Sequence, residues 1–527
     1  MKWIVLITTL LVHTANVQAM TIKMDETQSF ELNLAGENTL VVDKPGYYRG
    51  YVRSNRFINK LLAYTPNSEL VKTLIGSKSK ETEIFWLIEK AGNYQLKLDL
   101  ASPESSKVQM KLSQIPLKDD QYVSAPSKIT SPLIQRTVAD LAEGKVDSQS
   151  RFWQEISATG APLVEYKQDG NAIITFLYRG EVDNVRLLGA PYGGHAQLSH
   201  IEGTDIWYHS FEVPDSTRLS YRLAPNVPQL SIDKNREQRK AVLATAQPDP
   251  LNIRPIFGPN SGLFGSASTL TLRNASSDHM AQEQGKPKGQ LASFRFQSST
   301  DLEPREITLY TPNSVYPVTK SSPLLILFDG EAYLNKVPTP RIMDNLIATK
   351  QIPPMRVLFI NPPRPSLRAK ELTPNKAFAQ MMATELMPWL CTHHSVCPNA
   401  ENTVLSGSSF GGLASMYIAL EYPEHFGKVL SQSGSFWWQP KEAERTQLSW
   451  MAQLVNSKPT QNLSIYLNAG LFETEPQYAS ILQTNQQLFS TLTEKGYRAH
   501  FQSAASGHDY FSWRVMLADG LNVLFSD

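Results

Sequence analysis

Cysteine is almost absent from this chain: Cys391 and Cys397 are the only two in 527 residues. A scaffold built on several disulfides is therefore excluded, and a single small loop closed by this pair is the reading their closeness favours. The segment Cys391-Thr392-His393-His394-Ser395-Val396-Cys397 also offers thiolates and imidazoles, which are good zinc ligands, but its spacing follows no standard zinc pattern. Net charge is missing too. Lys plus Arg number 50 against 49 Asp plus Glu, a formal charge of +1, and no basic tail breaks the balance. That excludes a nucleic-acid binder carried by a global positive field. No apolar run reaches the ~17–25 residues a membrane-spanning helix needs, so no span is expected.

What is present is ample core-forming material. Hydrophobic residues make up 41% and charged residues 19%, a globular composition. The length exceeds the ~250–300 residues at which one core stops growing, so two or three domains are expected. Residues 1–19 read as a secretory signal: Lys2 supplies the positive start, residues 4–12 the apolar centre, and Val17-Gln18-Ala19 a small-residue cleavage pattern. Export is the expectation, with a mature chain beginning near Met20. Removing the signal takes away Lys2 and leaves 49 basic and 49 acidic residues, so partner charge has to be read locally.

Residues 20–116 alternate polar and apolar side chains in short runs separated by turn signals, which predicts a small antiparallel β-sandwich. Residues 117–149 read as a connector with one helix over 134–143. Residues 150–245 form a second all-β segment, with strands at 171–178, 184–189, 207–213 and 218–223. Residues 246–288 are strand-poor and read as a linker. From 289 to 527 the grammar changes. Strand-like runs at 305–310, 324–328, 356–360, 404–405, 428–431, 463–467 and 498–501 alternate with helical patterns such as 376–390 and 476–495. Continuous apolar strands between helices predict a parallel sheet covered on both faces. The expected fold class is α/β: an α/β-hydrolase catalytic domain preceded by two small all-β sandwich domains.

Within that last domain, Gly407-Ser408-Ser409-Phe410-Gly411 follows a strand-like run and precedes Leu413, Met416, Tyr417 and Leu420 at helical spacing. Strand, sharp turn and helix are what a nucleophile elbow requires, which makes Ser409 the candidate nucleophile; the alternative is a glycine-rich turn with an incidental serine. A serine alcohol is a poor nucleophile at neutral pH, so it needs a base, and the base needs an orienting acid. In this fold the chain order is serine, acid, histidine. Three histidines follow Ser409. His425 lies just past the nucleophile helix, where a capping or surface role fits, and His500 alternates with apolar neighbours inside a strand. His508, in Ser506-Gly507-His508-Asp509 beyond the last strand, is the expected base. The acid falls within Glu473-Thr474-Glu475-Pro476: Glu473 lies nearer the strand end, whereas Glu475 suits a first-turn position of the next helix. For the oxyanion, Phe410 supplies the backbone N–H after the nucleophile, and Gly330, after the strand ending at Phe328, is the candidate second donor or an ordinary turn residue.

From about residue 151 onward the chain resembles the enterochelin (enterobactin) esterase family. The resemblance rests on Phe152-Trp153, Gly160-Ala161-Pro162-Leu163-Val164-Glu165 and Gly203-Thr204-Asp205-Ile206-Trp207-Tyr208 in the β segment. In the hydrolase segment it rests on Leu327-Phe328-Asp329-Gly330-Glu331, Arg368-Ala369-Lys370-Glu371-Leu372, Gly407 to Gly412, Ser431-Gln432-Ser433-Gly434-Ser435-Phe436-Trp437-Trp438 and Gly507-His508-Asp509. It implies hydrolysis of the ester bonds of catecholate siderophores, with Ser409 as nucleophile and His508 as base, and it favours Glu473 as acid. The family pattern has one glutamate followed directly by proline, so the doubled Glu473 and Glu475 keep both open. The implied substrate is anionic and aromatic, which suits Arg368 as an anion contact and Trp437 or Trp438 as stacking surfaces. The alternatives are an Arg368–Glu371 pair and core tryptophans. No cofactor or metal is implied, since iron belongs to the substrate, and the signal places the activity in the periplasm. Two further readings stay open: a carboxylesterase for other aryl or acyl esters such as feruloyl esters, and a non-catalytic periplasmic siderophore-binding protein. Ala91-Gly92-Asn93-Tyr94-Gln95-Leu96 is similar to the pre-peptidase C-terminal type of accessory domain.

Overall fold

The structure, a computed structural model, describes residues 18–22, 28–32, 38–76, 78–88, 90–101, 107–115, 128–193, 195–227, 235–258, 266–299, 302–444, 446–474 and 480–526. Most of the expected secretory signal, and Glu475, lie outside the described residues.

The first unit comprises β1 (Gln18–Ile22), β2 (Gln28–Glu31), β3 (Asn38–Val42), β4 (Gly46–Tyr64), β5 (Leu70–Ile75), β6 (Ser79–Ile88), β7 (Gly92–Leu100) and β8 (Val108–Ile115). Its organiser is the 19-residue β4. The first half of β4 pairs with β6 and β8 and the second half with β5 and β7, so one strand serves both halves of the unit. Alternation along these strands sends Tyr48, Val52, Leu61, Trp86, Leu96 and Leu112 into a shared core.

The second unit begins with two helices, α1 (Pro132–Ala142) and α2 (Ser148–Thr159). The strands β9 (Leu163–Tyr166), β10 (Asn171–Arg179), β12 (Ser199–His200) and β13 (Ile206–Pro214) form one sheet. β11 (Val185–Gly189), β14 (Arg218–Pro225) and β15 (Ser268–Thr271) form another. Ala172, Ile174 and Phe176 of β10 pack against Leu187, Leu219 and Leu223 of the second sheet. Leu177 instead joins Ile134, Phe152, Trp153 and Ile156 of the two helices. Here the structure departs from the expected boundaries. The helix α2 carries the chain across position 150, its aromatic pair being the buried face of a helix. The segment 246–288 is more than a linker, since β15 completes a sheet and buries Leu270. Four residues are too few for a period-2 pattern to stand out. Between β14 and β15, α3 (Asn235–Thr245) joins the two units, with Ala241, Val242 and Ala246 packed beside Tyr47 and Phe85 of the first.

The remaining strands are β16 (Gln290–Phe296), β17 (Arg305–Thr311), β18 (Leu324–Phe328), β19 (Arg356–Ile360), β20 (Thr403–Ser408), β21 (Lys428–Gln432), β22 (Ser464–Gly470) and β23 (Arg498–Ala504). They form one sheet in the order β16-β17-β19-β18-β20-β21-β22-β23. From β19 to β23 every neighbouring pair is parallel, while β16 and β17 add an antiparallel edge. Both faces of β18 are buried: Leu324, Ile326 and Phe328 enter one core and Leu325 and Leu327 the other. That explains why it reads as an unbroken apolar run. Helices cover these faces, among them α4 (Gly330–Asn335), α5 (Thr339–Ala348), α9 (Phe410–Glu421), α10 (Trp450–Ser457), α11 (Ile481–Glu494) and α12 (Tyr510–Phe525). The expected helix over 376–390 is divided into α7 (Lys376–Gln380), a π-helical turn Met381–Leu386 and α8 (Met387–His394). Pro388, which has no N–H to donate, stands just after that turn.

Candidate active site

The elbow is built by close approach. Ser409 sits between β20 and α9 with φ 59° and ψ −118°, a conformation that L-residues adopt at a cost of about 1–3 kcal/mol and that clusters at functional sites. Gly407 permits it: a Cβ there would lie 2.8 Å from the carbonyl carbon of Gly411 and 2.9 Å from its Cα. Those are backbone atoms and cannot swing away. Gly407→Ala is therefore expected to destabilise the fold by about 1–3 kcal/mol and to reduce turnover with it, seen as a lower thermal midpoint and a lower kcat.

Around the elbow, the loops after four successive parallel strands supply the polar groups. The Ser409 hydroxyl lies 3.1 Å from the Ser435 hydroxyl, and the Ser435 N–H donates to the Ser409 carbonyl at 3.0 Å. From the same loop after β21, the Ser433 hydroxyl donates to Glu473 Oε2 at 2.8 Å and accepts from Trp513 Nε1 at 2.9 Å. Glu473, after β22, is buried; its Oε2 also accepts the Gly470 N–H at 2.6 Å, and its Oε1 meets His508 Nδ1. His508, after β23, rests edge-on against the Trp513 ring at 4.8 Å. Its side chain is 39% exposed, so Nδ1 is held from within while the rest of the ring opens outward.

Phe410 is the first residue of α9, where an N–H has no acceptor within the helix. Gly330 likewise opens α4 after Asp329, and a Cβ on it would meet Phe359 at 2.7 Å, so close packing against β19 also requires glycine. Arg368 opens α6 (Arg368–Leu372) and binds Asp329 through two hydrogen bonds, Nε to Oδ1 and Nη2 to Oδ2, each 2.6 Å. The Arg368–Glu371 pair does not form. Glu371 is buried against Arg305 instead, while Asp329 takes the Arg368 guanidinium. Arg368 also faces the Phe410 ring, with Cζ 5.8 Å from its centroid. Trp437 tilts against Phe410 at 5.9 Å, whereas Trp438 packs on the core and stands edge-on to Trp450 at 5.6 Å.

Cys391 and Cys397 are joined in a disulfide, which removes both thiolates from any metal site. His393 and His394 lie against the Trp389 ring. His500 stacks on Tyr466 and His425 is a half-exposed residue beside Glu424. Sequence reasoning passed over Ser433, Ser435 and Trp513 as functional residues, although the first two stand inside a quoted motif; the signal available was a polar Ser-x-Ser following an apolar strand.

A serine on a strained strand-to-helix elbow, with a histidine and a buried carboxylate at the C-terminal ends of the same parallel sheet, defines an α/β-hydrolase. The comparisons narrow that class. The family described as putative esterase matches residues 299–524, and the one described as enterochelin esterase, N-terminal, matches residues 173–280. The chain is 28% identical over 427 residues to the iron(III) enterobactin esterase of Dickeya dadantii, covering 74% of this chain and 96% of that one. It is 29% identical over 405 residues to an iron(III) salmochelin esterase of Escherichia coli, covering 73% and 95%. The enterobactin esterase of Shigella flexneri, solved in the presence of enterobactin, superposes with a TM-score of 0.57 at 27% identity, over 72% of this chain and 99% of that one. Over these regions the chain is similar to the enterochelin esterases, and it is a hydrolase, with the first β unit lying ahead of both matched regions.

Proposed function

We propose that this protein is a periplasmic serine esterase that cleaves the ester bonds of enterobactin-type catecholate siderophores during iron acquisition. The observation that carries the reading is the continuous chain of hydrogen bonds from Trp513 through Ser433 and Glu473 to His508, beside an elbow serine, in a chain similar to enterochelin esterases. Ser409 Oγ attacks the ester carbonyl while His508 Nε2 takes its proton, and Glu473 holds Nδ1 so that Nε2 is the accepting nitrogen. The Phe410 N–H and the N–H at Gly330 stabilise the tetrahedral oxyanion. His508 then returns the proton to the departing serine hydroxyl of the substrate, and water releases the acyl group by the same steps in reverse order.

Substrate charge has support beside this site. Lys336, at the end of α4, lies over the Tyr510 ring at 5.3 Å. Burial first, and then the neighbouring Arg222 of β14, lower its pKa below the ordinary lysine value. A cation disfavoured by burial and by a like charge, an effect Glu331 offsets in part, is one that an anionic ligand stabilises. Arg368, with two nitrogens committed to Asp329, contributes charge and one remaining nitrogen, and Trp437 with Phe410 offers flat apolar surface.

The test is chromatography of products after incubating the mature protein with apo and ferric enterobactin, beside a feruloyl ester. Release of 2,3-dihydroxybenzoyl-serine species from enterobactin is the expected result. Cleavage of the feruloyl ester alone would replace the substrate class, and no turnover of either would favour the binding-protein reading. Recovery of the protein in the periplasmic fraction checks its location.

A further inference from the structure

The catalytic sheet does not hold the His508 loop by itself; β14 of the second β unit grips that loop on both sides of the histidine. The Arg218 N–H donates to the Ala505 carbonyl at 3.0 Å, three residues before His508. Arg218 Nε donates to the Phe511 carbonyl at 3.1 Å, three residues after it, and the guanidinium lies 3.7 Å from the Phe511 ring centroid. The Arg218 carbonyl accepts the Ser512 hydroxyl at 3.1 Å. Two residues along β14, the Ser220 N–H donates to Asp509 Oδ2 at 3.2 Å, while Asp509 Oδ1 caps α12 through the Ser512 N–H at 3.0 Å. On the acid's side, Phe472, adjacent to Glu473, packs against the core between the two sheets of the second unit.

Arg218 is itself held in place. Its side chain is 7% exposed, Nη2 donates to Asp278 at 2.6 Å and Nη1 to Thr271 Oγ1 at 3.3 Å. An apolar residue of similar volume would often serve stability as well as a buried guanidinium does. It would not supply the hydrogen bond to Phe511 or the anchor to Asp278. We infer that Arg218 is a positioning residue for the base: acting through Ala505, Phe511 and Ser512, it aims His508, so the second β unit is a working part of the catalytic centre. The inference rests on His508 being the base.

The experiment compares Arg218→Met, Arg218→Lys and Ser512→Ala in the full chain. It measures the rate of Ser409 labelling by a fluorophosphonate, kcat and KM on a soluble ester, and the thermal midpoint. Labelling requires the serine and its base but no siderophore, so it reads the inference even where the substrate class proves different. Arg218→Met is expected to slow labelling and lower kcat about 10–100-fold, with KM within about 3-fold, because a displaced base costs the chemical step. Arg218→Lys is expected to recover part of the loss by keeping the Asp278 pair. Ser512→Ala, which removes a single hydroxyl, is expected to give a decline of about 3–10-fold. The inference is overturned by wild-type labelling and kcat in folded Arg218→Met, or by a loss confined to KM. Should that variant not fold, wild-type labelling in Ser512→Ala overturns it equally.

Discussion

Ser409→Ala is expected to abolish ester hydrolysis, lowering kcat on the order of 10⁶-fold, while leaving the fold and ligand affinity close to those of the parent protein. The rate loss follows from the role proposed for Ser409 Oγ, since without the nucleophile no acyl-enzyme forms for His508 and Glu473 to assist. Residual catalysis is then confined to what the oxyanion donors and binding supply, about 10³–10⁴ over water. Stability should barely move. The elbow's φ of 59° belongs to the backbone and persists with alanine, and the side chain loses only its contact with Ser435. One such hydrogen bond contributes about 0.5–1.5 kcal/mol. Product chromatography reads the first effect, and calorimetric titration with a catecholate ligand, together with the thermal midpoint, reads the second. Hydrolysis persisting in a folded Ser409→Ala protein would remove Ser409 as nucleophile. Binding without turnover in the parent protein would make the chain a receptor.

How much of this was legible before the structure depended on how local each signal was. The strands β18 and β19 bury both faces, so their composition alone declares them. The elbow is partly local: Gly407 is demanded by Gly411 close by, whereas Gly412 is demanded by Ser431 and Gly434 of the next strand and its loop. Chain order within the fold pointed to His508 as the candidate base, and the structure sets its Nδ1 against Glu473. By contrast, β16 exposes most of its residues and alternates apolar side chains only at Ala292, Phe294 and Phe296, so it does not read as a strand, and the antiparallel pairing of the expected strand β17 went unseen. The residues that orient the site were hidden for another reason. Arg368 and Asp329 are 39 positions apart, Trp513 and Ser433 80, and Arg218 and Phe511 293. Periodicity carries no information at such separations. A charged residue near the motif therefore suggested the nearest partner, Glu371, where tertiary packing supplied Asp329. The α2 helix failed differently, because Phe152 and Trp153 favour strands in general yet here form the buried stripe of a helix.

The second large effect is expected at the acid, where Glu473→Gln should lower kcat about 10³–10⁴-fold with little change in KM. The size follows from counting donors. Oε2 receives two, the Ser433 hydroxyl and the Gly470 N–H, and the Ser433 oxygen already accepts from Trp513, so its proton is committed to Glu473. Glutamine carries one oxygen and one NH₂. With its oxygen kept where the two donors converge, its NH₂ faces His508 Nδ1, which must then be the accepting nitrogen. The imidazole proton moves to Nε2, and a protonated Nε2 cannot take the Ser409 proton. Turning the amide round restores Nδ1–H but sets an NH₂ against two buried donors, at about 1–3 kcal/mol for each group left unsatisfied. Either arrangement impairs the base, and neither touches the substrate. Glu475→Gln is the paired measurement, expected to retain activity within about 3-fold. Full activity in Glu473→Gln together with loss in Glu475→Gln would transfer the role of acid to Glu475. Reduction in both would mean that the two carboxylates share the task of holding His508.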